Sequence, residues 1–192
     1  MLIGNAKGYT KMVMARFKGI GYRVQLFLLN AADCGVPQRR ERVFFCAVRD
    51  DIKAKPLELK PQHRWISAGE ACEDLQELTA LEKNETKPAP NDLKCWPNTK
   101  KGDDYSKWLV RSENRKACFN QYRIDDRKPS NTLSSTAGLY THWDKCRTLT
   151  YREWKRLGSF PDDYHAKTDK IGKYMIGMSV PPKMTEQVAR AV

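Results

Sequence analysis

The chain has 192 residues, 40% of them apolar and 10% aromatic, enough to bury a core, and it carries a formal net charge of +12 with a pI near 9.5. This composition excludes a disordered chain. No run of about 18 apolar residues could span a membrane, and the opening MLIGNAKGYTK lacks the basic-then-apolar layout of a signal peptide, so the cytoplasm is the expected location.

The positive excess lies at two flanks: net +7 over residues 1–60, −2 over 61–100 and +7 over 101–192. Two basic flanks around a near-neutral middle suit a polyanion, which for a soluble protein usually means nucleic acid. The cysteines at 34, 46, 72, 95, 118 and 146 form no CxxC pair, and His63, His142 and His165 are equally scattered. That spacing predicts reduced thiols and no metal site.

In chain order, Val13, Met14 and Phe17 make a helical stripe within 9–18 that Gly19 and Gly21 stop. VQLFLLN (24–30) and VFFCAV (43–48) are near-continuous apolar runs, which predict strands covered on both faces, as in an α/β sheet. Pro56 and Pro61 mark a boundary, and Ser67-Ala-Gly-Glu70 predicts a capped short helix. Residues 80–105, polar and without clear period, are expected to be loops and short strands. Thr150-Tyr-Arg-Glu153 is a second capping box, opening a helix with Trp154 and Leu157 that closes at Gly158. A last helix follows Pro182, with Met184, Val188 and Val192 on one face that must dock on something.

The stretch VPQRRERVFF (36–45) sets three arginines at the mouth of the second apolar run. Taken as extended, it points Gln38, Arg40 and Arg42 one way and Arg39 and Glu41 the other. Residues two apart on a strand lie roughly 7 Å from each other, near the phosphate spacing of a nucleic acid strand. Arginine forks bind phosphates or base-edge oxygens bidentately. Arg40 and Arg42 are therefore expected to aim together into a site at the strand end. Arg39 is expected to pair with Glu41 as ordinary surface charge.

The segment Asn30-Ala-Ala-Asp-Cys-Gly-Val-Pro-Gln-Arg-Arg-Glu-Arg-Val-Phe45 resembles the Gln-x-Arg-x-Arg block of the cytosine-5 DNA methyltransferases. Two more blocks follow in that family's order. Arg127-Lys-Pro-Ser-Asn-Thr132, continued by Arg147–Glu153 and Ser159-Phe-Pro161, is similar to its penultimate block, and Ile176-Gly-Met-Ser-Val-Pro-Pro182 to its final one. The resemblance implies the C-terminal half of such an enzyme. Its fold class would be an α/β fragment, the end of a Rossmann-like methyltransferase sheet, plus a small mixed α+β target-recognition domain. Residues 1–52 would be the last strands and helix of the catalytic domain, 53–165 the recognition domain, and 166–192 the final block returning to the catalytic domain.

The family flips a cytosine out of duplex DNA, attacks C6 with a cysteine thiolate and methylates C5 from S-adenosylmethionine. By resemblance, Arg42 helps to hold the cytosine and its phosphate, Arg40 supports that strand end and Gln38 buttresses the loop. Arg127, Ser130 and Thr132 would touch DNA, the first two as donors to phosphate oxygens. Met178, Ser179 and Val180 would border the methionine part of the cofactor, although Met178 stands where the family commonly has asparagine.

The family's cofactor glycine block and Pro-Cys nucleophile have no counterpart here, since every cysteine follows a residue other than proline. The expectation is therefore a chain that cannot methylate alone and needs an N-terminal methyltransferase polypeptide as partner. Without it, the strand edge and the apolar faces of 12–17 and 184–192 would be open to water. The alternatives are a non-catalytic DNA-binding module derived from such an enzyme, or an RNA-directed relative.

Overall fold

The computed structural model describes residues 6–75, 77–114, 116 and 121–192. Cys118, one of the expected thiols, lies outside them; Cys34, Cys46, Cys72 and Cys146 are free thiols, and the Cys95 thiol donates to Asn91 Oδ1 at 3.4 Å. Among the described residues, no helix is long and apolar enough to cross a membrane.

The first helix, α1 (Ala6–Gly19), ends where Gly21 takes a left-handed φ of 83°, a turn that admits glycine without strain. Strands β1 (Tyr22–Asn30) and β2 (Glu41–Arg49) then pair antiparallel, with Leu26 opposite Phe45 and Leu29 opposite Arg42. The apolar runs are strands as expected, but they do not make a doubly covered parallel sheet among the described residues. Their connection over residues 31–40 is too short for a crossover, which forces antiparallel pairing. Leu28 is half exposed, while Leu29 is buried with Phe27 and Phe44 packed beside it.

The connection folds back on itself. Asn30 Oδ1 accepts from the backbone N–H groups of Ala32 and Arg40, both at 3.2 Å, and the Ala31 N–H donates to Arg40 O at 2.9 Å. A 3-10 turn (Ala31–Cys34) closes at Gly35. The resulting buried surface of Ala31, Cys34 and Val36 receives Met184 of the last helix.

Residues 80–105 are largely helical, not loops and short strands. Helices α2 (Ala68–Ala71), α3 (Ala80–Glu85), α4 (Pro90–Cys95) and α5 (Tyr105–Glu113) occupy the middle of the chain. The shortest run under two turns, so no apolar period has room to appear. Their start signals were nevertheless present: a reciprocal capping box between Thr79 and Glu82, Pro90 in the first turn, and Asp104 capping Lys107 N–H. At the predicted cap before α2, Ser67 accepts from the Glu70 N–H, and the Glu70 carboxylate is engaged by Arg64.

Two short strands, β3 (Tyr122–Arg123) and β4 (Tyr140–Thr141), pair in parallel and lead into α6 (Tyr151–Leu157). The helix α7 (Asp169–Met178) packs on α6 closely enough that a Cβ at Gly172 would meet the Tyr151 ring at 2.4 Å. Ile176 of α7 joins Ile124, Leu133, Leu149, Trp154 and Leu157 in the largest core. Helix α8 (Pro182–Ala191) instead buries Met184 completely on the strand loop. Met184 is covered, contrary to expectation, with Val188 packed beside it, because the 31–36 turn supplies the surface, whereas Val192 stays exposed. On α1 the expected stripe of Val13, Met14 and Phe17 is half-buried, while Met12 within the 12–17 stretch, and Tyr9 and Ile20 on either side of it, are exposed.

The α6 capping box closes reciprocally, with Thr150 N–H to Glu153 Oε2 at 2.7 Å and Glu153 N–H to Thr150 Oγ at 3.1 Å. The buried Glu153 carboxylate also accepts both ends of the Arg147 fork, at 2.8 and 2.6 Å. Burial opposes its ionisation, but Arg147 outweighs that and holds the carboxyl below the usual range. His142 lies 3.6 Å away and is pushed down to about 4, by burial first and then by Arg147.

An unfolded imidazole takes up its proton near pH 6.5 whereas the folded one resists until about pH 4, so the unfolded state binds more protons in between. Stability is expected to fall by up to about 3 kcal/mol as pH drops through that window. Glu153, with its depressed value, adds a further loss at the acid end. In His142→Asn, which keeps an acceptor for the Asp144 and Lys145 N–H groups, urea unfolding at stepped pH should show a flatter slope between pH 6.5 and 4. An unchanged slope would remove His142 from the account.

Candidate nucleic-acid interface

The mouth of β2 is organised by an arginine that never reaches solvent. Arg40 is 2% exposed and donates to the carbonyls of Leu133 and Gly177, each at 2.7 Å, and to Gln38 Oε1 at 3.4 Å. Burial, followed by repulsion from Arg42, lowers its pKa to about 10. Gln38, 1% exposed, donates to Leu157 O at 3.2 Å and accepts from Leu133 N–H at 3.2 Å. Together these two side chains tie the strand mouth to the 130–133 segment and to the ends of α6 and α7. Gly177 makes the approach possible, since a Cβ there would sit 2.2 Å from Ser134 O.

The expected alternation holds for Gln38 and Arg40, which are buried, against Arg39 and Glu41, which are exposed; it departs at Arg42. β2 begins only at Glu41, and Gln38 makes an isolated parallel bridge to Ser130. The Ser130 N–H to Pro37 O bond at 3.0 Å and the Arg39 N–H to Ser130 O bond at 2.9 Å form that bridge. Gln38 and Arg40 turn inward together, while Arg42 lines a cleft instead of sharing their side. Arg39 lines that cleft too, and it bonds Asn131 Oδ1 at 2.9 Å instead of pairing with Glu41.

The cleft has a volume of about 870 Å³. One wall comes from the strand mouth, with Arg39, Glu41 and Arg42, and the other from distant segments that contribute Asp104, Tyr122, Asn131 and Thr132. Arg42 donates to its neighbour's carbonyl, Glu41 O, at 2.7 Å. Two arginines and two carboxylates thus line the cleft, but among the described residues no carboxylate pairs with Arg39 or Arg42, whereas Arg49, Arg64, Arg147, Arg152 and Arg156 each have one. Both guanidinium forks keep donors that no carboxylate of the chain engages.

The other expected DNA contacts separate. Thr132 is exposed on the cleft, and its hydroxyl donates to Arg39 O at 2.7 Å. Ser130 is 2% exposed, with its hydroxyl donating to Pro37 O at 3.1 Å. Its phosphate contact is corrected on that ground: buried and already bonded, it joins two backbone segments. Arg127 is exposed but forked onto Asp125, at 2.9 and 3.1 Å, and it leads the causes that hold that carboxyl down at about 2. Its charge is answered within the chain.

In the final block, Met178 and Val180 are exposed, and the Ser179 hydroxyl donates to Met175 O at 2.6 Å. This donor set supplies an apolar border but no ionic partner for a cofactor that carries a carboxylate and a sulfonium. It fits one edge of S-adenosylmethionine at most. Sequence reasoning missed Asp104 and Tyr122, which only folding brings to the strand mouth, and it set Arg39 aside. Asn131 stood inside a quoted block without a role; its adjacency to Arg39 has no signal in the sequence.

An α/β arrangement with a polar cleft at a strand mouth belongs to the class of proteins that bind ligands at strand ends. The family is more particular. Residues 1–192 match the model of the C-5 cytosine-specific DNA methylases, and the chain belongs to that family. It is 30% identical over 200 residues to the type II methyltransferase M.MthTI of Methanothermobacter thermautotrophicus, covering 95% of this chain and 59% of that protein. With M.BbvI of Brevibacillus brevis it shares 31% over 185 residues, covering 90% of this chain and 49% of the relative.

The fold is similar to that of the S. pombe Dnmt2 methyltransferase, with a TM-score of 0.62 at 14% identity over 97% of this chain and 61% of that one. The chain therefore spans about half to three-fifths of the length of these curated relatives.

Proposed function

We propose that this chain is the DNA-recognition and base-holding portion of an S-adenosylmethionine-dependent cytosine-5 DNA methyltransferase. One observation carries the reading: Arg42, without a carboxylate partner, lines a cleft that also receives residues from the middle of the chain. Arg42 would hold the extruded cytosine and its phosphate, a task that must offset the few kcal/mol of unstacking. Arg40 and Gln38 would keep that wall in place from behind, and Thr132 would border the path of the strand. Residues 53–165 would read the target, between the catalytic-domain segments 1–52 and 166–192.

Met178, Ser179 and Val180 would border the methionine end of the cofactor, which supplies the methyl group when bound. The nucleophile and the cofactor's glycine turn must come from outside these 192 residues, because no cysteine here follows proline. A polypeptide segment that carries both is the proposed complement. It would cover the exposed Tyr9 and Met12 of α1 and Ile20 just after it.

The test is duplex binding by the full chain as salt is raised. The logarithm of the association constant should fall linearly with log salt, by about 0.9 for each phosphate neutralised. An affinity that does not change with salt would sink the nucleic-acid assignment.

A further inference from the structure

We propose that Arg39 is a second contact to the nucleic-acid backbone and that Asn131 is its positioning residue. The inference rests on the reading above and adds a role for the arginine that sequence alone sets aside. An exposed arginine normally wanders, and ordering it costs up to about 2 kcal/mol of side-chain entropy. Arg39 is exposed, yet it is held at three points by one short segment. Its N–H donates to Ser130 O at 2.9 Å, its carbonyl accepts from Thr132 Oγ at 2.7 Å, and its guanidinium donates to Asn131 Oδ1 at 2.9 Å.

Asn131 and the half-buried Tyr122 line the same cleft. An asparagine that reads a base needs both its oxygen and its NH2 group. Here the oxygen is engaged by Arg39, so Asn131 orients and does not read.

The arrangement orders a cation without neutralising it. A carboxylate would have held Arg39 as firmly, as Asp125 holds Arg127, but it would have cancelled the charge. A neutral amide takes one N–H and leaves the rest of the fork for an anion. Because the ordering is done before binding, less of the contact energy is lost on association. The recipient is a phosphate and not a base edge, since an exposed, salt-accessible cation beside Arg42 suits a strand running along the cleft.

The experiment measures binding of a mixed-sequence DNA duplex by the full chain across a salt series, for the native protein, Arg39→Ala, Arg39→Lys, Asn131→Ala and the double Arg39→Ala/Asn131→Ala. Arg39→Ala should lower the salt slope by about one, and Arg39→Lys, which keeps the charge, should hold it near the native value. Asn131→Ala should weaken binding about three- to tenfold with Arg39 present but less than about twofold in its absence. Equal losses in both backgrounds would overturn the positioning role, and an unchanged slope in Arg39→Ala would overturn the phosphate contact. Failure of the native chain to bind any duplex would instead remove the proposed function itself.

Discussion

Arg42→Ala, in an assembly that supplies the nucleophile and cofactor turn, is expected to lose methyl transfer while duplex binding stays within about tenfold of native. One arginine contact is worth roughly 1–3 kcal/mol of binding, and the other cation of the cleft, Arg39, remains. Turnover is different, because the chemical step requires a base that stays out of the stack and faces the nucleophile. Arg42 stands at the start of β2 without a carboxylate partner, paired across the ladder with Leu29, so the strand fixes its direction. Its removal should not disturb the fold, since its one bond within the chain goes to the adjacent carbonyl. Normal turnover by the variant would take Arg42 out of the base pocket. A parallel loss of binding well beyond tenfold would make it a docking residue instead.

Arg40→Ala, two residues away, is expected to fail in the opposite manner, through stability. Its guanidinium is enclosed, and its two short bonds, at 2.7 Å, go to the carbonyls of Leu133 and Gly177. Truncation strands both acceptors in the interior at about 1–3 kcal/mol each and leaves a void between α7 and the 130–133 segment. A loss of about 3 kcal/mol or more should appear in urea unfolding followed by tryptophan fluorescence. Arg40→Lys should recover part of it, because an ammonium can reach one carbonyl but cannot fork to two. If Arg40→Ala unfolds within 1 kcal/mol of native, the guanidinium is not what joins these segments. The contrast with Arg42 is the sharper test, because one residue type sits at two positions with separable losses.

Some features of this architecture are local and could be read from the chain alone. The α1 stripe, the two apolar strands, the Thr150–Glu153 box and the first-turn Pro182 each act within a few residues, through periodicity, capping or a fixed φ. The order of the three blocks pointed to the same family that the whole-chain match shows. The short helices between 80 and 113 were hidden because burial of Cys95, Tyr105 and Leu109 in their own small cluster, not a long amphipathic stripe, holds them.

The candidate site divides in the same way. Sequence by itself determined that arginines would crowd the mouth of a strand and that a polyanion was their natural ligand, because charge and strand propensity are carried by adjacent residues. Which arginine faces the ligand was decided only by tertiary structure. Packing of Gln38 and Arg40 against Leu133, Leu157 and Gly177 fixes those two side chains inward and leaves Arg39 and Arg42 on the cleft. The partners that make this choice lie some 90 to 140 residues along the chain, and pattern reading cannot reach hydrogen bonds that form only after the segments have packed.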